Sequence, residues 1–130
     1  MRREQRELAT RGPLKTHRDL IAWQESMKLL VESYRVAAQL PDIERYGLAS
    51  QLRRAAVSIP ANIAEGFGRS ARGDYLRHLS IASGSLRELQ TLLEAIALLQ
   101  YLQKDAIEPA DGAASRTAFL LNRLQRSLSR

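Results

Sequence analysis

Gln51-Leu52-Arg53-Arg54-Ala55-Ala56-Val57-Ser58-Ile59-Pro60-Ala61-Asn62-Ile63-Ala64-Glu65-Gly66-Phe67-Gly68-Arg69 is the stretch on which the fold turns. Leu52, Ala55 with Ala56, Ile59 and Ile63 recur at steps of three and four, the spacing of one face of an α-helix. Pro60 stands inside that period. It removes one backbone hydrogen bond and frees the carbonyl of Ala56, so a kink or short break is expected, with Ser58 and Asn62 offering local partners. Gly66 and Gly68 close the element, as left-handed caps available without a Cβ penalty. Paired arginines beside small, close-packing side chains make this the helix around which others pack.

Upstream, Leu20, Trp23, Met27, Leu30 with Val31, Tyr34 and Ala38 form an apolar stripe, with Glu25, Lys28, Glu32 and Arg35 opposite. Thr16 or Asp19 can cap this first helix, and Pro41 ends it. The second helix starts near Glu44 or Tyr46. Downstream, Ser70 can cap a third, long helix reaching about Tyr101, with Leu76, Leu79, Ser80, Ser83, Leu86, Leu89, Gln90, Leu93 and Ile96 as its core row. Ala82-Ser83-Gly84-Ser85 would admit a closely packed neighbour, which would explain a glycine inside a helix. The fourth helix carries Ala114, Thr117, Ala118, Leu120, Leu121, Leu124 and Leu128. Short turns between amphipathic helices imply antiparallel neighbours. The expected fold is all-α: an antiparallel up-down-up-down four-helix bundle with a kinked second helix, spanning residues 16–130 behind a flexible basic extension over residues 1–15.

A second apolar row on the third helix, Leu92, Ala95, Leu99 and Leu102, cannot be buried with the first inside one bundle. It is therefore expected to be a subunit interface.

The chain has 130 residues, no cysteine and a net charge of +6. The length suits one domain, and the missing thiols exclude disulfides and thiolate metal sites. No apolar run approaches the ~20 residues of a membrane span. No apolar stretch of the kind found in secretory leaders follows Met1–Glu7. A cytoplasmic protein without membrane attachment is expected. Residues 1–18 carry six basic and two acidic side chains, and residues 19–130 carry 14 and 12. Much of the excess is thus N-terminal, and a second local excess lies between Arg45 and Arg77, six arginines against Glu65 and Asp74. Such charge attracts polyanions without specifying any.

Candidate chemistry is sparse. Gly66-x-Gly68-x-x-Ala71 has the letters of a dinucleotide fingerprint but lacks the preceding strand that motif requires, so a helix–helix turn explains it. His17 and His78 have no metal-ligand spacing around them and read as surface residues. Glu65, on the core side of its helix end, reads as half of a structural ion pair. No nucleophile, base and oxyanion set occurs, so neither a catalytic residue, a metal nor a cofactor is expected. The arginines remain. Arg53, Arg54, Arg69, Arg72 and Arg77, with Arg87, could form one surface when the second and third helices fold back, and guanidinium forks suit phosphate. With few aromatics for stacking, contact would be to the nucleic-acid backbone and steeply salt-dependent. The alternative is a protein–protein scaffold whose arginines pair with carboxylates of the same chain or of a neighbouring subunit.

Leu20-x-x-Trp23-Gln24, Leu40-Pro41-x-x-Glu44-x-Tyr46-Gly47-Leu48, Gln51-Leu52-Arg53-Arg54-Ala55, Ser58-Ile59-Pro60-Ala61-Asn62-Ile63-Ala64-Glu65-Gly66 and Ile81-Ala82-x-Gly84-Ser85-Leu86-x-Glu88-Leu89 together resemble one bacterial family. It is the family of four-helix-bundle proteins encoded in intervening sequences of large-subunit ribosomal RNA genes, and the resemblance covers roughly Asp19 to Leu128. It implies a homo-oligomer, most often a pentameric ring, with no assigned catalytic activity. A related branch comprises the basic pentameric accessory proteins of diversity-generating retroelements, which bind nucleic acid and a reverse transcriptase. This sequence departs from that branch in being only mildly basic outside its N-terminal segment.

Overall fold

The computed structural model describes residues 14–129, so most of the expected basic extension lies outside it, as does Arg130. Four α-helices account for the architecture: α1 Ile21–Ala38, α2 Leu48–Phe67, α3 Arg72–Leu98 and α4 Lys104–Ser129. Short 3-10 turns, His17–Asp19 and Asp42–Glu44, precede α1 and α2. Each helix packs on its neighbours in sequence and α4 closes back on α1, while the diagonal pairs do not meet among the described residues. This is the up-down-up-down four-helix bundle that the short turns imply.

Chain entry is set by a capping box. The Thr16 hydroxyl accepts from the Arg18 N–H, and the Asp19 carboxylate accepts from the N–H groups of Lys15 and Thr16. Those two bonds hold the Asp19 carboxyl below its usual range. α2 has no side-chain cap from Gly47. Instead Glu44 reaches forward and accepts from the Leu48 N–H at 3.0 Å. A Cβ on Gly47 would come within 2.6 Å of the Glu44 carboxylate oxygen, so glycine there is what lets the carboxylate reach the helix.

The core row of α2 matches its period: Leu52, Ala55, Ala56, Ile59 and Ile63 are all buried. Pro60 is buried and lies inside a helix that continues past it. The Asn62 side-chain amide donates to the Ser58 carbonyl at 2.9 Å and to the Ser58 hydroxyl at 3.1 Å, supplying the local partners expected around the proline.

Three expectations about glycine change. Gly68, the helix cap, has φ of −77° and is right-handed, not left-handed. Gly66 is buried inside α2, where a Cβ would lie 2.9 Å from the His78 Cβ and 3.2 Å from the Tyr75 carbonyl oxygen. Its reason is therefore the close crossing of α3. Gly84 is exposed, with nothing within 4 Å of an added Cβ, so the glycine itself faces no neighbour; the small run packs through Ala82, which is fully buried, and Ser85, whose hydroxyl meets that of Ser58 on α2 at 2.8 Å. Among the described residues the left-handed cap is Gln100, at φ 60°. The Tyr101 N–H returns to the Ile96 carbonyl and the Gln100 N–H to the Ala97 carbonyl, the double bond pattern in which glycine usually sits where Gln100 does.

α1 departs furthest from its predicted stripe. Its buried face is Leu20, Ala22, Ser26, Leu29, Ser33, Val36 and Ala37, whereas Met27, Val31 and Tyr34 are exposed. Small residues win because they let neighbouring helices approach closely. The Ser26 hydroxyl donates to the Trp23 carbonyl one turn back, so its burial leaves no unmet donor. The cap of α3 also differs: Ala71 occupies that position, and Ser70 makes no side-chain cap.

Candidate nucleic-acid interface

The up-down order brings the start of α1, the α2–α3 turn and the end of α4 to one end of the bundle. Residues 14–20, 65–77 and 120–129 there carry seven basic side chains (Lys15, Arg18, Arg69, Arg72, Arg77, Arg123, Arg126) against three acidic ones (Asp19, Glu65, Asp74). Asp19 is engaged by backbone N–H groups, and Glu65 pairs with Arg69 at 3.0 Å on the solvent side. Glu65 is thus exposed, and the expected placement on the core side does not hold; helical i,i+4 spacing is what joins the pair. Both partners are half exposed, so the bridge contributes little to stability and leaves the guanidinium able to engage another anion.

The five arginines singled out from sequence do not form one surface. Arg69, Arg72 and Arg77 share the basic end. Arg53 and Arg54 sit fifteen residues further back on α2, about 22 Å along the axis at 1.5 Å per residue. They also diverge around the helix. The Arg53 guanidinium lies over the Tyr34 ring of α1, 5.8 Å from its centroid, while Arg54 points to solvent with no ion pair among the described residues. Arg87, also exposed, lies half-way along α3. Lys15, Arg18, Arg123 and Arg126 escaped the sequence reading because they come from other segments; the bundle topology itself was the signal that would have gathered them.

Behind the turn, a polar seam joins α2 to α3. The Ser58 and Ser85 hydroxyls meet at 2.8 Å, and Asn62 Oδ1 lies 3.1 Å from His78 Nδ1. Because the Asn62 amide nitrogen is committed to Ser58, its oxygen faces the imidazole, and His78 must donate from Nδ1. His78 is buried, contrary to the surface placement expected for it. His17 packs edge-on against Trp23, with ring centroids 5.0 Å apart. No group of three His, Asp or Glu side chains placed to hold a metal ion occurs among the described residues. Nor is any helix of the described chain long and apolar enough to cross a membrane.

The expected interface row on α3 is broken. Leu92 is buried in the chain's own core, Leu102 and Ala95 are half-buried, and Leu99 alone is exposed. Leu92 fills the space between helices that the broad α3 face spans, so it is unavailable to a neighbour. The larger uncovered apolar strip runs along α1 and α2, through Met27, Val31, Tyr34 and Val57.

These features define a class: an all-α four-helix bundle with a basic end and a packed, seam-locked interior. A family model, 23S rRNA-intervening sequence protein, matches residues 18–123, and the chain belongs to that family. The fold is similar to that of a solved protein of unknown function from the S23 ribosomal protein family of Bacteroides thetaiotaomicron. The two share 22% sequence identity with a TM-score of 0.75 over 81% of this chain and 98% of that one. Comparison with curated proteins gave no match.

Proposed function

We propose that this chain is a cytoplasmic, non-catalytic homo-oligomer, a pentamer as the family resemblance implies, that associates with the phosphate backbone of nucleic acid, RNA foremost. The observation that carries the reading is the convergence of Arg69, Arg72, Arg77, Lys15, Arg18, Arg123 and Arg126 on one end from separate segments, seven against three acidic groups. Arginine offers phosphate two parallel donors, and the aromatics at that end are engaged within the protein, Trp23 against His17 and Phe67 against the buried Tyr75, which favours backbone contact over base stacking. Gel-shift titration with a single-stranded RNA tests it. Retention at about 50 mM salt that fades steeply on raising salt is expected; no retention at the low-salt limit overturns the reading, since counterion release favours binding there.

The scaffold reading has its own support in the α1–α2 strip, where Arg53 lies over Tyr34 beside exposed Met27, Val31 and Val57. This strip is the proposed subunit face, in place of the α3 row. Native mass measurement on a Val31→Glu/Val57→Glu variant tests it: dissociation to monomer is expected, and an unchanged oligomer rejects the strip as the interface.

A further inference from the structure

The end of the bundle opposite the arginines carries the three most exposed large hydrophobic side chains of the described residues, and its charge is reversed. Ile43 is 84% exposed, Tyr46 87% and Leu98 82%, with Leu99 beside it at 55%. Lone exposed apolar side chains are ordinary, but three nearly bare ones at a single end of the bundle, on or next to two connections that are bonded to each other, offer apolar anchors to a partner.

The two connections are tied into a single platform. The Tyr101 hydroxyl donates to Glu44 Oε2 at 2.8 Å across 57 residues of sequence, and the other Glu44 oxygen holds the start of α2. The left-handed turn at Gln100 ends α3 just beyond Leu98 and Leu99 and swings the chain back so that Tyr101 meets Glu44. Arg45 lies over the Tyr46 ring, 5.8 Å from its centroid. Beside the platform an open cavity of about 700 Å3 has Leu102 and Ile107 in its wall together with Asp111.

Charge decides what such a patch can accept. Residues 39–47 and 94–111 carry six acidic side chains (Asp42, Glu44, Glu94, Asp105, Glu108, Asp111) and two basic ones (Arg45, Lys104). Partial burial, then the nearness of Glu94 and Glu108, pushes the Asp111 carboxyl up, a repulsion that an arriving cation would relieve. A second copy approaching by the same face would meet like charge. A neutral apolar partner would leave the carboxylates desolvated without a partner.

We infer that this end docks a basic amphipathic polypeptide segment of a partner protein, its apolar side chains seated among Ile43, Tyr46, Leu98 and Leu99 and its lysines or arginines against the rim carboxylates. The inference is independent of any nucleic-acid role, because it uses none of the residues of the opposite end. Taken together with the proposed function, it makes the bundle an adaptor with a polyanion-binding end and a polycation-binding end.

The test uses the full chain and three synthetic 18-residue peptides: a leucine/lysine amphipathic helix, the same helix with glutamate for lysine, and the same helix with serine for leucine. Binding is followed by fluorescence anisotropy. The leucine/lysine peptide should bind at least about tenfold tighter than either control. An Ile43→Ser/Leu98→Ser variant should lose about tenfold with its melting temperature unchanged, since both side chains are bare, and Arg69→Ala/Arg77→Ala should have no effect. Equal binding of the two lysine peptides, or binding indifferent to Ile43→Ser/Leu98→Ser, overturns the inference. If that variant instead dissolves the homo-oligomer in sedimentation, the face belongs to a second copy and the inference is equally overturned.

Discussion

The two ends of this bundle are built on the same four helices and have little else in common. At the basic end the chain turns tightly: α2 and α3 cross so closely at Gly66 that His78 and Tyr75 leave no room for a Cβ. Three segments there contribute a net excess of positive charge. At the other end the connections are held by a long-range hydrogen bond between Tyr101 and Glu44, and exposed apolar side chains share that end with an excess of carboxylates. The core between them is alike throughout, leucine, isoleucine and alanine, and explains the fold without explaining any function. What the chain does is therefore to be sought at its ends.

The comparison can be broken most forcefully at Gly66. Gly66→Val should destabilise the chain by about 1–3 kcal/mol, the range for overpacking a filled site, in urea unfolding. A smaller loss would mean that α3 can retreat and that the basic end is not rigid. At the other end the opposite sign is expected. Gln100→Gly removes the cost of a left-handed side-chain-bearing residue and should stabilise by about 1 kcal/mol.

The smallest effect is in pH dependence. The Leu48 N–H and then the Tyr101 hydroxyl hold the Glu44 carboxyl below its usual range, and Glu44 in turn pushes the Tyr101 hydroxyl up. A depressed carboxyl contributes stability above its ordinary pKa and loses it as pH falls through the folded value. The raised tyrosine contributes below its ordinary pKa and loses it as pH climbs through the folded one. The clasp therefore holds across neutral pH and opens at both extremes. Glu44→Gln should flatten the acid limb of the melting-temperature profile while leaving melting at the basic end's seam unaffected.

Bundle, helix count and the α2 and α4 core rows were legible from periodicity, and so were Leu79, Leu86, Leu89, Leu93 and Ile96 on α3, where Ser80 is instead exposed and Tyr75, His78, Ala82 and Leu92 are buried outside the predicted row. On α1 the same rule pointed the wrong way: Ala22, Ser26 and Ser33 are buried and Met27, Val31 and Tyr34 are not, since close packing selects small side chains that a hydropathy period discounts. The left-handed cap was sought at glycines and found at Gln100, a residue type that carries no turn signal. Grouping Arg53 and Arg54 with Arg69, Arg72 and Arg77 treated nearness in sequence as nearness in space, although one helix holds the first pair more than four turns away from Arg69. Lys15, Arg18, Arg123 and Arg126 were visible as letters, but only the closed bundle puts them together.

The central claim is that the basic end, and not the Arg53–Arg54 pair near the start of α2, meets phosphate. Filter binding of a single-stranded RNA across a salt series, on the parent chain, an Arg69→Ala/Arg72→Ala/Arg77→Ala variant and an Arg53→Ala/Arg54→Ala variant, tests it most directly. Each single-strand phosphate contact contributes about 0.7 to the slope of log affinity against log salt. The account predicts that the triple variant loses about 2 from that slope while the Arg53/Arg54 variant keeps the parent slope. Loss of slope in the Arg53/Arg54 variant, with the triple variant unchanged, would contradict it.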